Sequence, residues 1–291
     1  MSAAAKDALV RLGVIGVGIM GSNHARVLAD LSGVKVVGIA DPAASHRALL
    51  AEIVGCSVCD DVSELLELGI DAAVIAAAQR AGVTLMVGHV ERFNPAVQAI
   101  KEAIRGEDIL SIAITRVGPF PPRMSNVGVV IDLAVHDIDL IRWFTGSDIV
   151  EVQPQTSSAV AEREDIALLQ FRTASGVLAH INTNWLTPFK ARTVHVATRQ
   201  KYVIGDLLTR QVSECFGFQP DGSYSMRHLS VGHDEPLRAE LLAFVNAIRE
   251  RRPPAVSGEE AVASLGIAIR CLESRIAAAP ARHHRPRRLV G

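Results

Sequence analysis

Asp132 and His136 stand four residues apart in the stretch VIDLAVHDIDLIRWF at 130–144. On a helix this spacing puts both side chains on one face, one turn apart. A secondary alcohol loses a hydride only if its hydroxyl proton leaves as well. An imidazole titrating near neutrality is suited to take that proton, and a neighbouring carboxylate orients the ring and stabilises its charged form. Asp137 and Asp139 follow directly and read as solvent-facing or helix-end charges. No third ligand stands at a convincing spacing from Asp132 and His136, so no metal site is expected.

The hydride needs an acceptor, and the start of the chain offers a place for one. Leu12 to Gly16 reads as a short apolar strand, followed by Gly16-Val-Gly18-Ile19-Met20-Gly21 and a helical pattern through Leu28. Strand, GxGxxG and helix in this order form the dinucleotide-binding arrangement. Gly16 permits the tight turn, Gly18 lets backbone approach a pyrophosphate, and Gly21 lets the helix pack close to its strand. The free amides at the helix start attract the phosphates. A second strand, Val34 to Ala40, ends in Asp41-Pro42, about twenty residues past the glycines, where a carboxylate accepts hydrogen bonds from both ribose hydroxyls of NAD. The same carboxylate repels a 2′-phosphate. Arg47 can moderate that repulsion, so NAD is expected ahead of NADP.

The elements around these residues read as a helix from Ala43 to Val54, a weak strand near Cys56, a short helix from Ser63 to Leu68 and a strand from Ile70 to Ala77. This is the beginning of a doubly wound parallel sheet. Ala76, at the end of that last strand, joins the expected cofactor-binding set. A second apolar run, Val83 to Val87, follows after only Ala78 to Gly82, whereas neighbouring parallel strands need a crossover of at least about 10–12 residues. His89, Arg92 and Asn94 come next. Loops at the carboxyl ends of parallel strands line the ligand crevice, which aims Arg92 at the cofactor and Asn94 at a substrate. The alternative is an interdomain hinge with Asn94-Pro95 as a turn. His24 reads as a packed or cofactor-adjacent helix residue.

Alternating runs dominate the rest: 112–116, 167–171, 177–184, 193–197 and 202–207 all read as strands. Phe171 to Val177 is a hairpin turn with Gly176 where a positive φ is needed. Two helices close the chain, one starting at Asp234-Glu-Pro236 with Leu237, Leu241, Phe244, Val245 and Ile248 on its apolar face. The other starts at Ser257-Gly-Glu-Glu260, a capping box. The fold expected is α/β: a Rossmann domain over 1–92, then an α+β domain over 93–291. The second domain has a mostly antiparallel open sheet, with one face on helices and the other free for a substrate or a second subunit.

Composition agrees with this. A chain of 291 residues with 49% apolar and 21% charged residues suits two globular domains. Thirty basic against 31 acidic residues give no reason to expect a nucleic-acid or membrane-surface partner. The one basic excess, from Arg282 to Arg288, reads as a solvated terminus. No apolar run reaches membrane-spanning length, and no signal-like core precedes Gly13. Four cysteines point to a reducing cytoplasm. Cys56 and Cys59 read as two small buried side chains near a short strand rather than a redox pair.

Taken together, GVIGVGIMGSNHARVL at 13–28, VGIADP at 37–42, GHVERFNP at 88–95, IDLAVHDIDLIRWFTG at 131–146 and LTPFKART at 186–193 resemble the glucose–fructose oxidoreductase and inositol 2-dehydrogenase family, Gfo/Idh/MocA. The resemblance implies an NAD(P)-dependent oxidoreductase acting on a ring hydroxyl of a sugar or cyclic polyol. It also implies that Asp132 and His136 lie over the nicotinamide with His136 as base. GPFPPR at 118–123 and LTPFKART look like those of the UDP-N-acetylglucosamine 3-dehydrogenases, a branch that oxidises a nucleotide sugar. Arg123, Lys190 and Arg192 are then candidates for binding a diphosphate or carboxylate, although ordinary surface basicity also accounts for them. Homo-oligomers, dimers or tetramers, are expected from the same resemblance.

One family feature is absent. Its fourth strand leads into a Thr-Pro loop, a helix, a strand ending in Glu-Lys-Pro and a further helix, about 30–40 residues by mean element lengths. Either residues are missing from the sequence as written near 76–78, or the chain carries a true deletion, or another lysine substitutes. The chain has five lysines, Lys6, Lys35, Lys101, Lys190 and Lys201, and Lys190 is the one expected near a substrate. The competing reading is a non-catalytic NAD-binding sensor or scaffold.

Overall fold

The structure is a computed structural model that describes residues 9–15, 19–41, 43–68, 72–73, 86–121 and 127–274. Gly16, Gly18, Pro42, Ala76, Arg123, the joint at 76–78 and the basic tail at 282–288 lie outside the described residues. The chain divides into two compact units, Met1–Phe93 with Asp234–Ala261, and Asn94–His233 with Val262–Gly291.

In the first unit, β1 (Val10–Ile15), β2 (Val34–Ala40), β3 (Ser57–Cys59) and β4 (Ala72–Ala73) form a parallel sheet in the order β3-β2-β1-β4. Helices α1 (Ile19–Ala29), α2 (Ala44–Val54) and α3 (Val62–Glu67) connect them. Apart from exposed Arg11 and Lys35 near their starts, β1 and β2 are apolar because they are buried in the sheet centre. Gly13 and Gly38 are register partners, and a Cβ at either would meet Leu65 within 2.9 Å. The paired glycines therefore form the seat into which α3 presses Leu65. Of the expected strand at 83–87, Met86 and Val87 are described and lie outside any strand; the Val87 N–H donates to the Val256 carbonyl at 3.2 Å.

The later helix α6 (Pro236–Glu250), assigned to the second domain from the sequence, belongs to the first unit. Its Leu237, Leu241, Phe244 and Val245 share a core with Val10, Leu12, Leu28 and Leu31. Apolar periodicity defines a helix's buried face but not which core receives it, so the boundary at 92/93 missed this return of the chain. The capping box forms as expected: the Ser257 N–H donates to the Glu260 carboxylate at 3.2 Å and the Glu260 N–H to Ser257 Oγ at 3.3 Å.

The second unit carries α4 (Pro95–Ala103), β5 (Ile109–Pro119), a π-helical turn (Val130–Ala134) running into α5 (Val135–Thr145), and β6 (Ile149–Ser157). Strands β7 (Ile166–Thr173), β8 (Leu178–Asn184), β9 (Leu186–Thr198), β10 (Lys201–Asp206), β11 (Gln211–Phe216) and β12 (Ser225–His228) follow, and α7 (Gly258–Glu273) comes last. The sheet runs β12-β11-β10-β9-β5-β8-β7-β6, antiparallel except between β5 and β8. Ile112, Ile114, Leu169, Ile181, Val194 and Val196 bury one face with Val97 and Ile100 of α4 and Ile138 and Ile141 of α5. On the other face Leu168 and Leu178 are half-exposed. Gly176 takes φ +89° in the β7–β8 hairpin.

Asn94 is the N-cap of α4: its Oδ1 accepts the Ala96 N–H at 3.0 Å, and its Nδ2 donates to the Leu207 carbonyl at 3.2 Å. Asn94→Ala loses both bonds and should cost about 1–2 kcal/mol, read as a lower urea midpoint with an unchanged denaturant slope. Glu240 of α6 is 3% exposed, and burial pushes its carboxyl up to about 7 from 4.5. The folded state holds this proton more tightly than the unfolded chain. Its stabilising contribution is complete below pH 4.5 and lost as pH rises through 7, about 3 kcal/mol in all. Thermal melts at pH 5 and pH 8 should differ by this amount more in the native chain than in Glu240→Gln.

Candidate active site

The first unit holds the cofactor half. Ile15 and Ala40 are register partners at the ends of β1 and β2, and Asp41 follows Ala40 directly. Helix α1 opens at Ile19 and Met20, with Gly21 in its first turn. Asp41 Oδ1 accepts the Ala43 N–H at 2.7 Å, which anchors the entry into α2. Arg47 Nη1 donates to the Asp41 carbonyl at 2.6 Å, and Nη2 pairs with the Asp60 carboxylate. The cation six residues past the acid is therefore tied to the scaffold. A carboxylate at the carboxyl end of β2, one strand from β1, fits the ribose of a nicotinamide dinucleotide. Burial lowers the His24 imidazole pKa, in keeping with a packed helix residue.

Arg92 was expected to face the cofactor. It is 4% exposed in the 3-10 turn Val90–Phe93, where its guanidinium donates to the Ala255 carbonyl at 3.3 Å and pairs with Glu260 at 3.2 Å. It ties the turn to the start of the capping box. Asn94, expected at the substrate, is engaged as the cap of α4. A buried helix start and a buried turn need such side chains, and polarity in the sequence does not separate this use from ligand binding.

The second unit holds the proton-handling half. Asp132 lies in the π turn and His136 is the second residue of α5, so the two stand on one continuous helical stretch. π turns of this kind recur at functional sites. The stretch is fixed at its start by Glu164. Its carbonyl accepts the Val129 N–H at 2.9 Å and its carboxylate the Val130 N–H at 3.4 Å. A Cβ on Gly128 would stand 2.0 Å from this carboxylate, so only glycine allows the approach. Asp165 in turn gathers the N–H groups of Ala159, Val160 and Ala161 at 2.5–3.0 Å, which shapes the loop that carries Glu164.

Asp137 and Asp139 depart from expectation: both are fully buried. Asp137 takes a bidentate clamp from Arg116 of β5, with Nε at 3.0 and 2.9 Å from its two oxygens and Nη2 at 2.7 Å from Oδ1. Asp139 accepts a hydrogen bond from Ser264 Oγ at 3.2 Å. Losing one partner of a buried pair such as Arg116–Asp137 typically costs about 3–5 kcal/mol.

Arg116 and Arg192 are directly opposed on antiparallel β5 and β9 and so share a face of the sheet. Burial raises the Asp132 carboxyl pKa, and the charges of Arg116 and then Arg192 draw it back down, so both cations act on this carboxylate. Lys190 is exposed two residues before Arg192, with its Cγ 3.5 Å from where a side chain on Gly118 would begin. Of the remaining lysines, Lys101 donates to the carbonyls of Trp143 and Phe144, and Lys201 pairs with Glu107 at 3.1 Å. An imidazole and a partly buried carboxyl on one helical stretch, with arginines acting on the carboxyl, can take a hydroxyl proton next to a bound anion. Among the described residues no group of three or more His, Cys, Asp or Glu could hold a metal ion. Arg116, Asp137 and Glu164 escaped the sequence reading. The one available signal was a run of three acids in a helix with too little room for all of them on its polar face.

Residues 10–99 match the model of the oxidoreductase family, NAD-binding Rossmann fold, and residues 108–204 match the GFO/IDH/MocA C-terminal domain. UDP-N-acetylglucosamine 3-dehydrogenase of Acidithiobacillus ferrooxidans is 26% identical, with 92% of this chain and 97% of the relative covered. Its crystal structure superposes with a TM-score of 0.81 at 25% identity, over 89% of this chain and 95% of that one. Inositol 2-dehydrogenase 2 of Paenarthrobacter aurescens is 24% identical over 86% of this chain and 91% of its own. The first alignment spans 309 positions but uses 92% of 291 residues, so about 40 of its positions face no residue here. With a parallel nucleotide-binding sheet, a mostly antiparallel second sheet and both domain models matched in order, the chain belongs to the Gfo/Idh/MocA oxidoreductase family.

Proposed function

We propose that the protein is an NAD-dependent dehydrogenase that oxidises a ring hydroxyl of a nucleotide sugar or a closely related sugar or cyclic polyol. The observation that carries this is the helical stretch on which Asp132 and His136 stand, with Arg116 and Arg192 acting on Asp132. His136 takes the hydroxyl proton and Asp132 stabilises the resulting imidazolium. A bound nicotinamide supplies the hydride acceptor. Gly16, Gly18, Ile19, Met20, Gly21, Asp41, Pro42 and Ala76 would hold the dinucleotide. Arg192 and Lys190, with Arg123, would hold the anionic part of the substrate. A diphosphate suits such a cationic group, and the A. ferrooxidans relative's name supports a nucleotide sugar. Arg92 and Asn94 are assigned to scaffold contacts, with Ala255 and Glu260 and with the start of α4.

NAD is favoured over NADP because Asp41 occupies the ribose position and Arg47 is committed to Asp60. The half-exposed sheet face supports a homo-oligomer, and four free cysteines support a reducing, cytoplasmic setting. Among the described residues no helix is long and apolar enough to cross a membrane. A second reading, a sensor that binds NAD without turnover, is favoured by the absent Glu-Lys-Pro and by the lack of a lysine among the charges acting on Asp132.

The experiment is a scan of nucleotide sugars and inositols with NAD, followed as NADH absorbance. Substrate-dependent NADH formation that falls by about 10²–10⁴ in His136→Ala supports the dehydrogenase; binding of NAD with no turnover on any of them supports the sensor. In a titration of both cofactors, NAD should bind more tightly than NADP, and Asp41→Ala should narrow the difference.

A further inference from the structure

We propose that Arg116 is the positioning residue of the Asp132/His136 pair: clamped on Asp137, it fixes the rotation of the helical stretch that carries both residues. This rests on the reading of Asp132 and His136 as the proton-handling pair.

The geometric part follows from the clamp. Asp137 is the residue after His136, so it leaves the helix roughly 100° around the axis from the imidazole. A planar guanidinium that meets a carboxylate with two nitrogens fixes direction as well as distance. With both partners buried at 2.7–3.0 Å, the direction of Asp137 toward β5 sets the rotation of α5, and with it the point on the helix from which His136 leaves.

The electrostatic part is neutral: Asp137 takes up the charge of Arg116, so the pair acts on the helix by direction and not by net charge.

The test uses the full chain and two neutral pairs, Arg116→Met/Asp137→Leu and Arg116→Gln/Asp137→Asn. Each removes both charges together and so leaves no orphaned buried carboxylate. Arg116→Lys keeps the charge without the fork. kcat and KM are followed for the active substrate, and the His136 ring signal, assigned by its loss in His136→Ala, is followed by NMR. In a folded neutral-pair variant kcat should fall by about tenfold or more while KM changes less than about threefold, and the His136 signal should move. Arg116→Lys should restore only part of kcat. A folded neutral-pair variant with native kcat and a native His136 signal overturns the proposal. If the native chain turns over no substrate, the functional reading fails on its own, and the His136 signal still decides the role of Arg116.

Discussion

The helical stretch from Val129 to Thr145 is held by two buried carboxylates, and the second unit is arranged around that constraint. Glu164 fixes where the stretch begins, by meeting the first free N–H groups of the helix where their partial positive charge favours an anion. Asp137 fixes how it is turned, through Arg116. Between these two points lie Asp132 and His136. Glycine at 128 and the three amides gathered by Asp165 serve the first attachment, and the central position of β5 in the sheet serves the second. A helix resting only on apolar contacts could slide or rotate by small amounts at little cost, because hydrophobic burial has no direction. Charge-assisted hydrogen bonds do have one.

The two sheets contribute differently. In the first unit the parallel strands bring their carboxyl ends together, so that Ile15 at the end of β1 stands beside Ala40, the residue before Asp41. In the second unit the antiparallel register works as a ruler, setting Arg116 against Arg192 on the face that also carries the core. Moving outward along β9 on this face, the residues change from buried Val196 and Val194 to half-buried Arg192 and exposed Lys190. The same strand thus passes from core to site without a break, and the rigidity of its inner half is transmitted to the charges at its end.

Much of this was legible because it depends on period. Alternation marked the central strands, the 3.6-residue repeat marked the buried face of α6, and Ser257 with Glu260 announced a capping box that forms as drawn. Four-residue spacing placed Asp132 and His136 on one helical stretch. Burial of charge was not legible: Arg92 reads as a cofactor ligand, and Asp137 and Asp139 as surface charges, until their partners are known, and those partners are distant in sequence. Strand β6 was missed because Pro154 argues against a strand, yet β6 is an edge, where proline is tolerated. Strand β12 is exposed on both faces and has no alternation to detect.

The shortened alignment bears unequally on the two halves of the proposed reaction. About 40 positions of the A. ferrooxidans relative have no counterpart here, and the family segment absent from this sequence belongs to the nucleotide-binding domain. Each unit has its own hydrophobic core, so a loss in the first leaves the packing of the second in place. The second unit keeps a fully buried ion pair, which apolar residues of similar volume would often match or exceed in stability. A helix that only had to be stable would be as well served by such residues at 116 and 137. A directional clamp between 116 and 137 is physically warranted if the orientation of this helical stretch matters beyond its stability.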